Sequence, residues 1–337
     1  MIKLRTIREL LRYSDWANQQ ILSRAAAFAD EQLDRAFEMG MGSLRRTLLH
    51  IHNGEHVWLE RLSGRVETPW PSEDERASVG GIEERFRALW TRRDAHLVNL
   101  DNDSLSGEQT YRDSRGGLFR TTRGAMLLQM CTHSTHHRAQ ALNMLRHSGA
   151  TLPKPGADYI FMRLERPSDP PPEFDLDTIR AFFEYGDWAQ SRVLAAAEAL
   201  ADEQLDRPFE IGVGSLRKTV LHIRFAEQWW LENWTVGPGK HFPELPLSTS
   251  VPETRRLFQE TAARRNEFIA KLSEDGLERI VEAHPRPDVV RRFPLGVTLL
   301  QLCNHGVHHR AQAVNMLRRV GAAAPELDYM MSVRRPA

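Results

Sequence analysis

The 337-residue chain has only two cysteines and no net charge, since 45 lysine and arginine residues balance 45 acidic residues. Two thiols cannot build a disulfide framework, and we therefore expect a reducing, cytoplasmic location. A surface that binds nucleic acid would show an excess of basic residues, which is absent here. No apolar stretch approaches the ~18 residues of a membrane span, and the polar, amphipathic start is not typical of a secretory signal.

A long internal repeat divides the sequence. The stretch CTHSTHHRAQALNMLR begins at Cys131, and CNHGVHHRAQAVNMLR begins 172 positions later at Cys303. The same offset aligns ADEQLDRAFEMGMGSLRRTLLHI, from Ala29, with ADEQLDRPFEIGVGSLRKTVLHI, from Ala201. Solenoid repeats have periods of about 20–50 residues, so this longer period indicates a duplicated domain.

The repeat predicts two domains and an all-α fold. We place the domains at residues 1–165 and 175–337, joined by a proline-rich linker at 166–174. Apolar positions recur at helical spacing in each half, and four long helices per unit indicate a four-helix bundle. In the first half the helices are predicted at about residues 4–28, 44–62, 81–100 and 123–147. Turn residues within EQTYRDSRGGLFRTT predict a short hairpin before the fourth helix.

Three histidines in each half keep the offset and predict a metal site. His133 and His137 are four residues apart, so both project from one face of the fourth helix. His50, on the second helix, supplies a third imidazole. The second half repeats this set, whereas four other histidines of the first half have no counterpart. The repeated set is His222, His305 and His309, and the unmatched histidines are His52, His56, His96 and His147. A pair of histidines at this spacing can also merely decorate a helix surface.

A fourth protein ligand is not evident in the sequence. No glutamate has a histidine three residues later, which argues against a di-iron carboxylate site. A structural zinc site would close with four ligands, several of them thiolates, whereas three histidines leave a coordination position open for water or substrate. We expect one divalent ion per domain, zinc by ligand type, with nickel and iron as alternatives.

Several other repeated residues have two interpretations. Glu55 and Glu227 could orient an imidazole or act as a general base, or could form ion pairs with Arg138 or Arg310. Arg138 could instead grip a substrate carboxylate, and a contact between the two bundles explains it equally well. The matched His136 and His308 are rotated about 100° from their neighbours, which predicts a supporting or packing role. The two cysteines are expected to be small buried side chains, with a free reactive thiol as the alternative.

These motifs resemble the DinB/YfiT-like superfamily of metalloenzymes. The resemblance rests on YSDWAN in the first helix, SLRRTLLHI with Glu55 and Trp58 in the second, the histidine-rich fourth helix and a closing Asp-Tyr pair, which occurs at Asp158 and again at Asp328. It implies a four-helix bundle with a metal held by His50, His133 and His137, and again by the three matched histidines of the second half. Family members with known activity often transfer a low-molecular-weight thiol such as bacillithiol or mycothiol. Many relatives are homodimers, which implies an intramolecular pseudo-dimer here.

The sequence therefore predicts a metal-dependent enzyme that transfers a low-molecular-weight thiol to a small electrophile. The alternatives are a metal-dependent hydrolase and a non-catalytic metal-binding or scaffold protein. We expect a small-molecule substrate, no nucleic-acid or membrane partner, and a monomer with pseudo-two-fold symmetry or a low-order homo-oligomer. Residues 64–80 and 236–250 share little sequence, so the two halves could accept different substrates.

Overall fold

The computed structural model describes residues 1–71, 76–152, 156–167, 169–238 and 241–337. The chain is mostly helical, as predicted, and also contains a few short strands that an all-α fold does not include. Within these ranges, every helix is too short or too polar to cross a membrane. Parts of the predicted linker at 166–174, and of the loops at 64–80 and 236–250, lie outside the described residues.

The elements of the first half confirm the four predicted helices and the hairpin, with boundaries shifted by up to three residues. In chain order they are α1 (Leu4–Ala25), α2 (Asp30–Leu33), α3 (Leu44–Leu62), α4 (Val79–Val98), α5 (Asn102–Ser106), β1 (Glu108–Arg112), β2 (Leu118–Thr122) and α6 (Arg123–His147).

A short helix, α7 (Tyr159–Glu165), ends the first half. The second half repeats the order of the long helices and the hairpin, with α8 (Leu176–Glu198), α9 (Asp202–Asp206), α10 (Leu216–Thr235), α11 (Val251–Ala270), β3 (Ile280–Arg286), β4 (Val289–Pro294) and α12 (Leu295–Arg319), and ends with α13 (Met330–Val333) and β5 (Arg335–Pro336). The hairpin of β3 and β4 was not predicted, because prolines at positions 285 and 287 interrupt the strand pattern.

Serine caps fix where the second long helix of each half begins. The Ser43 hydroxyl accepts a hydrogen bond from the Arg46 backbone N–H at 3.3 Å, and Ser215 does the same for Lys218 at 3.2 Å. Gly42 precedes the first cap with a φ of 88°, in the left-handed region that favours glycine. These local signals set the start, and therefore the rotational phase, of the helices that carry His50 and His222.

A buried arginine explains why the ADEQLD stretch is repeated. The Arg45 guanidinium is almost fully buried, donates from Nε to Asp34 at 2.7 Å and also pairs with Asp30. Arg217 makes the same contacts with Asp206 and Asp202 in the second half. Because a buried guanidinium is costly unless it is paired, this part of the repeat preserves the packing of α2 on α3, and of α9 on α10.

The four long helices of the first half share one hydrophobic core. Ile21 of α1, Leu48 of α3, Phe86 of α4 and Met144 of α6 belong to one cluster of buried side chains. Packing of apolar faces supplies most of the stability of such helices, which are marginal in isolation. The shared core therefore holds α3 against α6, where the histidines lie.

The chain divides into two compact units. Unit 1 comprises Met1–Ala157, Leu164–Pro167 and Glu326–Ala337, and unit 2 comprises Asp158–Arg163 and Ser168–Pro325. In unit 1, β5 extends the first hairpin, since Arg335 pairs with Arg120 of β2. Each unit thus includes a short closing segment from the other half of the sequence. The proposed division into domains 1–165 and 175–337, which describes the repeat along the sequence, stays a prediction.

Candidate metal centre

The structure brings His50, His133 and His137 together in unit 1. One ligand nitrogen from each ring lies within 4.8 Å of the other two. The ring centroids are 5.0 Å apart for His50 and His133, 4.4 Å for His50 and His137, and 4.6 Å for His133 and His137. The α3–α6 packing therefore converts the predicted spacing into a cluster with three donor nitrogens.

Unit 2 contains the matching cluster. The corresponding nitrogens of His222, His305 and His309 also lie within 4.8 Å of one another. The Nε2 atoms of His222 and His305 are 3.1 Å apart. A tetrahedral ion bound at 2.0–2.1 Å would hold two ligand nitrogens about 3.4 Å apart, so the donor set fits a zinc-sized ion.

Burial keeps these imidazoles neutral near pH 7. It lowers the pKa of His50 to about 4 and lowers that of His222. Burial, followed by the neighbouring histidines, lowers the pKa of the remaining four well below the ordinary value of 6.5; these are His133, His137, His305 and His309. A neutral imidazole offers a lone pair to a metal without first losing a proton.

Some of the ring nitrogens lack a protein partner. The Nδ1 atoms of His50 and His133 are buried and make no hydrogen bond. A buried polar atom without a partner is costly, and most such atoms in folded proteins are paired. These two Nδ1 atoms therefore keep unused bonding capacity, whereas in the matching pair of unit 2 the Nε2 atoms are the ones that converge.

Glutamines on α6 and α12 orient the last histidine of each triad. The Gln140 side-chain oxygen lies 2.7 Å from His137 Nδ1, and the Gln312 oxygen lies 2.8 Å from His309 Nδ1. An amide oxygen only accepts, so Nδ1 carries the proton and Nε2 presents the lone pair. The amide nitrogen of Gln140 contacts His136 at 3.3 Å, which gives His136 the predicted supporting position.

A glycine makes room for His133. A Cβ atom added at Gly54, in the middle of α3, would lie 2.5 Å from Cε1 of the His133 ring. The matching residue in α10 is Ala226. A glycine inside a helical pattern is the signal in the sequence that indicates such a close approach.

The two glutamates are buried, but neither hydrogen-bonds a triad histidine among the described residues. Glu55 accepts hydrogen bonds from Asn18 at 3.1 Å and Ser134 at 2.6 Å, rather than pairing with Arg138. Glu227 forms a buried ion pair with Arg265 rather than Arg310, and burial raises the pKa of Glu227 to about 7. A role as general base stays a prediction.

Changed neighbours explain why Ser134 is replaced by Gly306 in the second half. In the first half Ser134 donates to Glu55, whereas in the second half Arg265 is the partner of Glu227. A Cβ atom at Gly306 would lie 2.7 Å from an Arg310 nitrogen, so a serine would displace that side chain. Arg138 itself donates to the Ser14 hydroxyl at 2.7 Å and is buried, so it does not lie free to grip a substrate.

A cavity of about 320 Å³ opens onto the first triad. All three of its histidines line the cavity, together with side chains of α3, β1, α6 and the closing segment of unit 1. The closing Asp-Tyr motif thus contributes Asp328 to the cavity wall. A ligand that enters this cavity can reach the position where the three imidazoles converge.

Comparison with known proteins identifies relatives of this sequence. The DinB family model matches residues 1–167 and again residues 175–335. The chain belongs to the DinB family. "Protein DinB" of Bacillus subtilis (strain 168) is 25% identical over 163 residues, which cover 46% of this chain and 93% of that protein. No solved structure matches at a statistically significant level. The double match confirms the resemblance and the tandem duplication inferred from the repeat.

Both cysteines are buried, and their burial predicts low reactivity in the native protein. Burial raises the pKa of Cys131 to about 12 and also raises the pKa of Cys303. Only the thiolate reacts rapidly, so we expect a disulfide reagent to label neither thiol in the native protein at pH 8 and both thiols after unfolding in guanidinium chloride. The measurement is release of the reagent chromophore per chain. Rapid labelling of a native thiol would contradict the assigned burial.

Proposed function

We propose that each triad binds one divalent metal ion and that the protein transfers a low-molecular-weight thiol to a small electrophile. The observation that carries the proposal is the occurrence of two clusters of three neutral imidazoles, each with its donor nitrogens within 4.8 Å. The neutral nitrogen donors suit zinc, with nickel and iron as alternatives. Membership of the DinB family supports a metal-binding role.

We also propose that each half of the chain is a four-helix bundle of the DinB type, with the metal held between its second and fourth long helices. The shared core of α1, α3, α4 and α6 supports this assignment for the first half. In the second half α10 and α12 carry the corresponding histidines.

The open coordination position supports chemistry rather than a purely structural role. Among the described residues each cluster contains three histidines and no carboxylate or thiol. A bound divalent ion would lower the pKa of a coordinated thiol and hold it as the thiolate. The chain's own residues would orient the imidazoles through Gln140 and Gln312, and would admit the electrophile through the cavity of unit 1. The buried cysteines would take no part.

The supporting role of Gln140 can be tested in a His309→Ala background, where only the first triad remains. We expect Gln140→Leu to weaken zinc binding about 10–100-fold, because His137 loses the acceptor that fixes its proton on Nδ1. The measurement is competition with a chromophoric chelator. Gln19→Leu, at an exposed glutamine of α1, is the matched control and should bind zinc like its parent. Equal affinity in Gln140→Leu would contradict the proposed orientation.

Thiol transfer can be tested with 1-chloro-2,4-dinitrobenzene and with bacillithiol, mycothiol or 2-mercaptoethanol as the thiol. The thiol sulfur would form a bond to the ring carbon, chloride would leave with its bonding electrons, and the thiol proton would pass to solvent. We expect the zinc-loaded protein to accelerate product formation. The double variant His137→Ala and His309→Ala should not.

The controls for this assay separate transfer from the alternatives. Metal-free protein should be as inactive as the double variant, and free zinc at the same concentration should give the background rate. Equal rates for parent and double variant with every thiol would contradict the transferase. If the parent still binds two ions in that case, the hydrolase and the non-catalytic metal-binding protein become the preferred functions.

A further inference from the structure

The wall of the cavity in unit 1 carries three arginines and three acidic residues, and one of the arginines stands apart from the others. Three guanidinium groups line it, those of Arg61, Arg115 and Arg334. Arg334 donates to an Asp113 carboxylate oxygen at 2.9 Å, and Arg115 pairs with Glu326. These two arginines are therefore already compensated by carboxylates of the same wall.

Arg61 has no such partner. It is 8% exposed, and among the described residues it forms no ion pair with a carboxylate. One terminal nitrogen donates to the backbone carbonyl of Arg112 at 2.8 Å, while its Nε is buried without any hydrogen-bond acceptor. A buried charge that is paired only with neutral groups is costly, because the protein does not replace the hydration that the charge has lost.

Aromatic rings hold this guanidinium in place. Its central carbon lies 4.7 Å from the Trp58 ring centroid and 4.9 Å from that of Tyr111. Both rings also line the cavity. These contacts hold the planar group in position without neutralising its charge.

The remaining carboxyl group of the cavity wall does not compensate Arg61. Asp328 is hydrogen-bonded by the Gln129 side chain, and burial raises its pKa. Asp113, the carboxylate that influences Arg61 electrostatically, accepts its hydrogen bond from Arg334. Each acidic group of the wall thus has its own partner.

Unit 2 lacks this arrangement. At the offset of 172 positions, Arg61 corresponds to Asn233 and Tyr111 to Ala283. The Asn233 amide donates to the backbone carbonyl of Trp229 at 2.7 Å, within its own helix. At this aligned position the guanidinium therefore occurs in the first half alone, although the three histidines are common to both halves.

We propose that the cavity of unit 1 binds a small organic substrate that carries a carboxylate group. Arg61 binds this carboxylate beside the metal position, and unit 2 does not share the preference for a carboxylate. The inference rests on the proposed function in treating the cavity as the substrate site. A planar guanidinium matches a carboxylate through two parallel hydrogen bonds. The carboxylate would supply the partner that Arg61 lacks, while the rest of the molecule would extend towards the three histidines.

The test uses two probes of the same shape, benzoate and its neutral amide benzamide. Metal-free full-length protein is titrated with each by calorimetry, so that neither probe can be captured by a metal ion. We expect the parent to bind benzoate at least about tenfold more tightly than benzamide, as a charge-assisted contact predicts. Arg61→Gln should remove this difference, leaving the affinity for benzamide unchanged.

Two further variants keep the result interpretable. Arg46→Gln, at an exposed arginine on the same helix, should bind benzoate like the parent. If Arg61→Gln does not fold, as judged by thermal unfolding, Arg61→Lys retains the charge but loses the planar fork and should bind benzoate more weakly than the parent. Arg61→Lys therefore keeps the contribution of Arg61 measurable, with Arg46→Gln as the control.

Failure of this inference is separate from failure of the proposed function, because the titration involves no metal, thiol or turnover. Equal binding of the two probes by the parent, no binding of benzoate, or unchanged preference in Arg61→Gln would each overturn the carboxylate site. Those outcomes would leave zinc binding and thiol transfer untouched.

Discussion

Burial of neutral imidazoles is the constraint on which both candidate sites depend. An exposed histidine triad would be partly protonated near pH 6.5, and its positive charges would repel each other and a metal ion. Packing α3 against α6 removes the rings from water and lowers their pKa, which leaves three lone pairs close together. In unit 1 the same packing places Gly54 beside His133 and the Gln140 amide beside His137. The helix contacts and the donor set are thus parts of one arrangement.

Much of this arrangement could be predicted from local sequence. Helical spacing and the Ser43 cap located α3, and the four-residue interval placed His133 and His137 on one face. The second hairpin could not be predicted, because its prolines obscure the alternation that identifies strands. The partners of Glu55 and Arg61 were also missed, since they depend on which residues of distant elements meet after folding. A single sequence gives the face of a helix on which a residue lies, but not the side chain opposite it.

Comparison of the two halves shows which residues around the triad have been kept and which have changed. Both halves keep the three histidines and the glutamine that orients one of them. They differ in how the buried glutamate is compensated and in the residue that occupies the position of Arg61. The histidine triad has therefore been kept while the residues around it have changed. The closing segments make each unit depend on residues from both halves of the sequence, so a change near one terminus can affect the cavity of unit 1.

The most direct measurement is the metal content of the untagged protein by elemental analysis, for the parent and for His137→Ala and His309→Ala. The account predicts about two ions per chain in the parent and about one in each variant, because each substitution removes one ligand from a site with only three. A parent without bound metal, even after incubation with zinc and removal of the excess, would contradict the account. So would variants that retain as much metal as the parent.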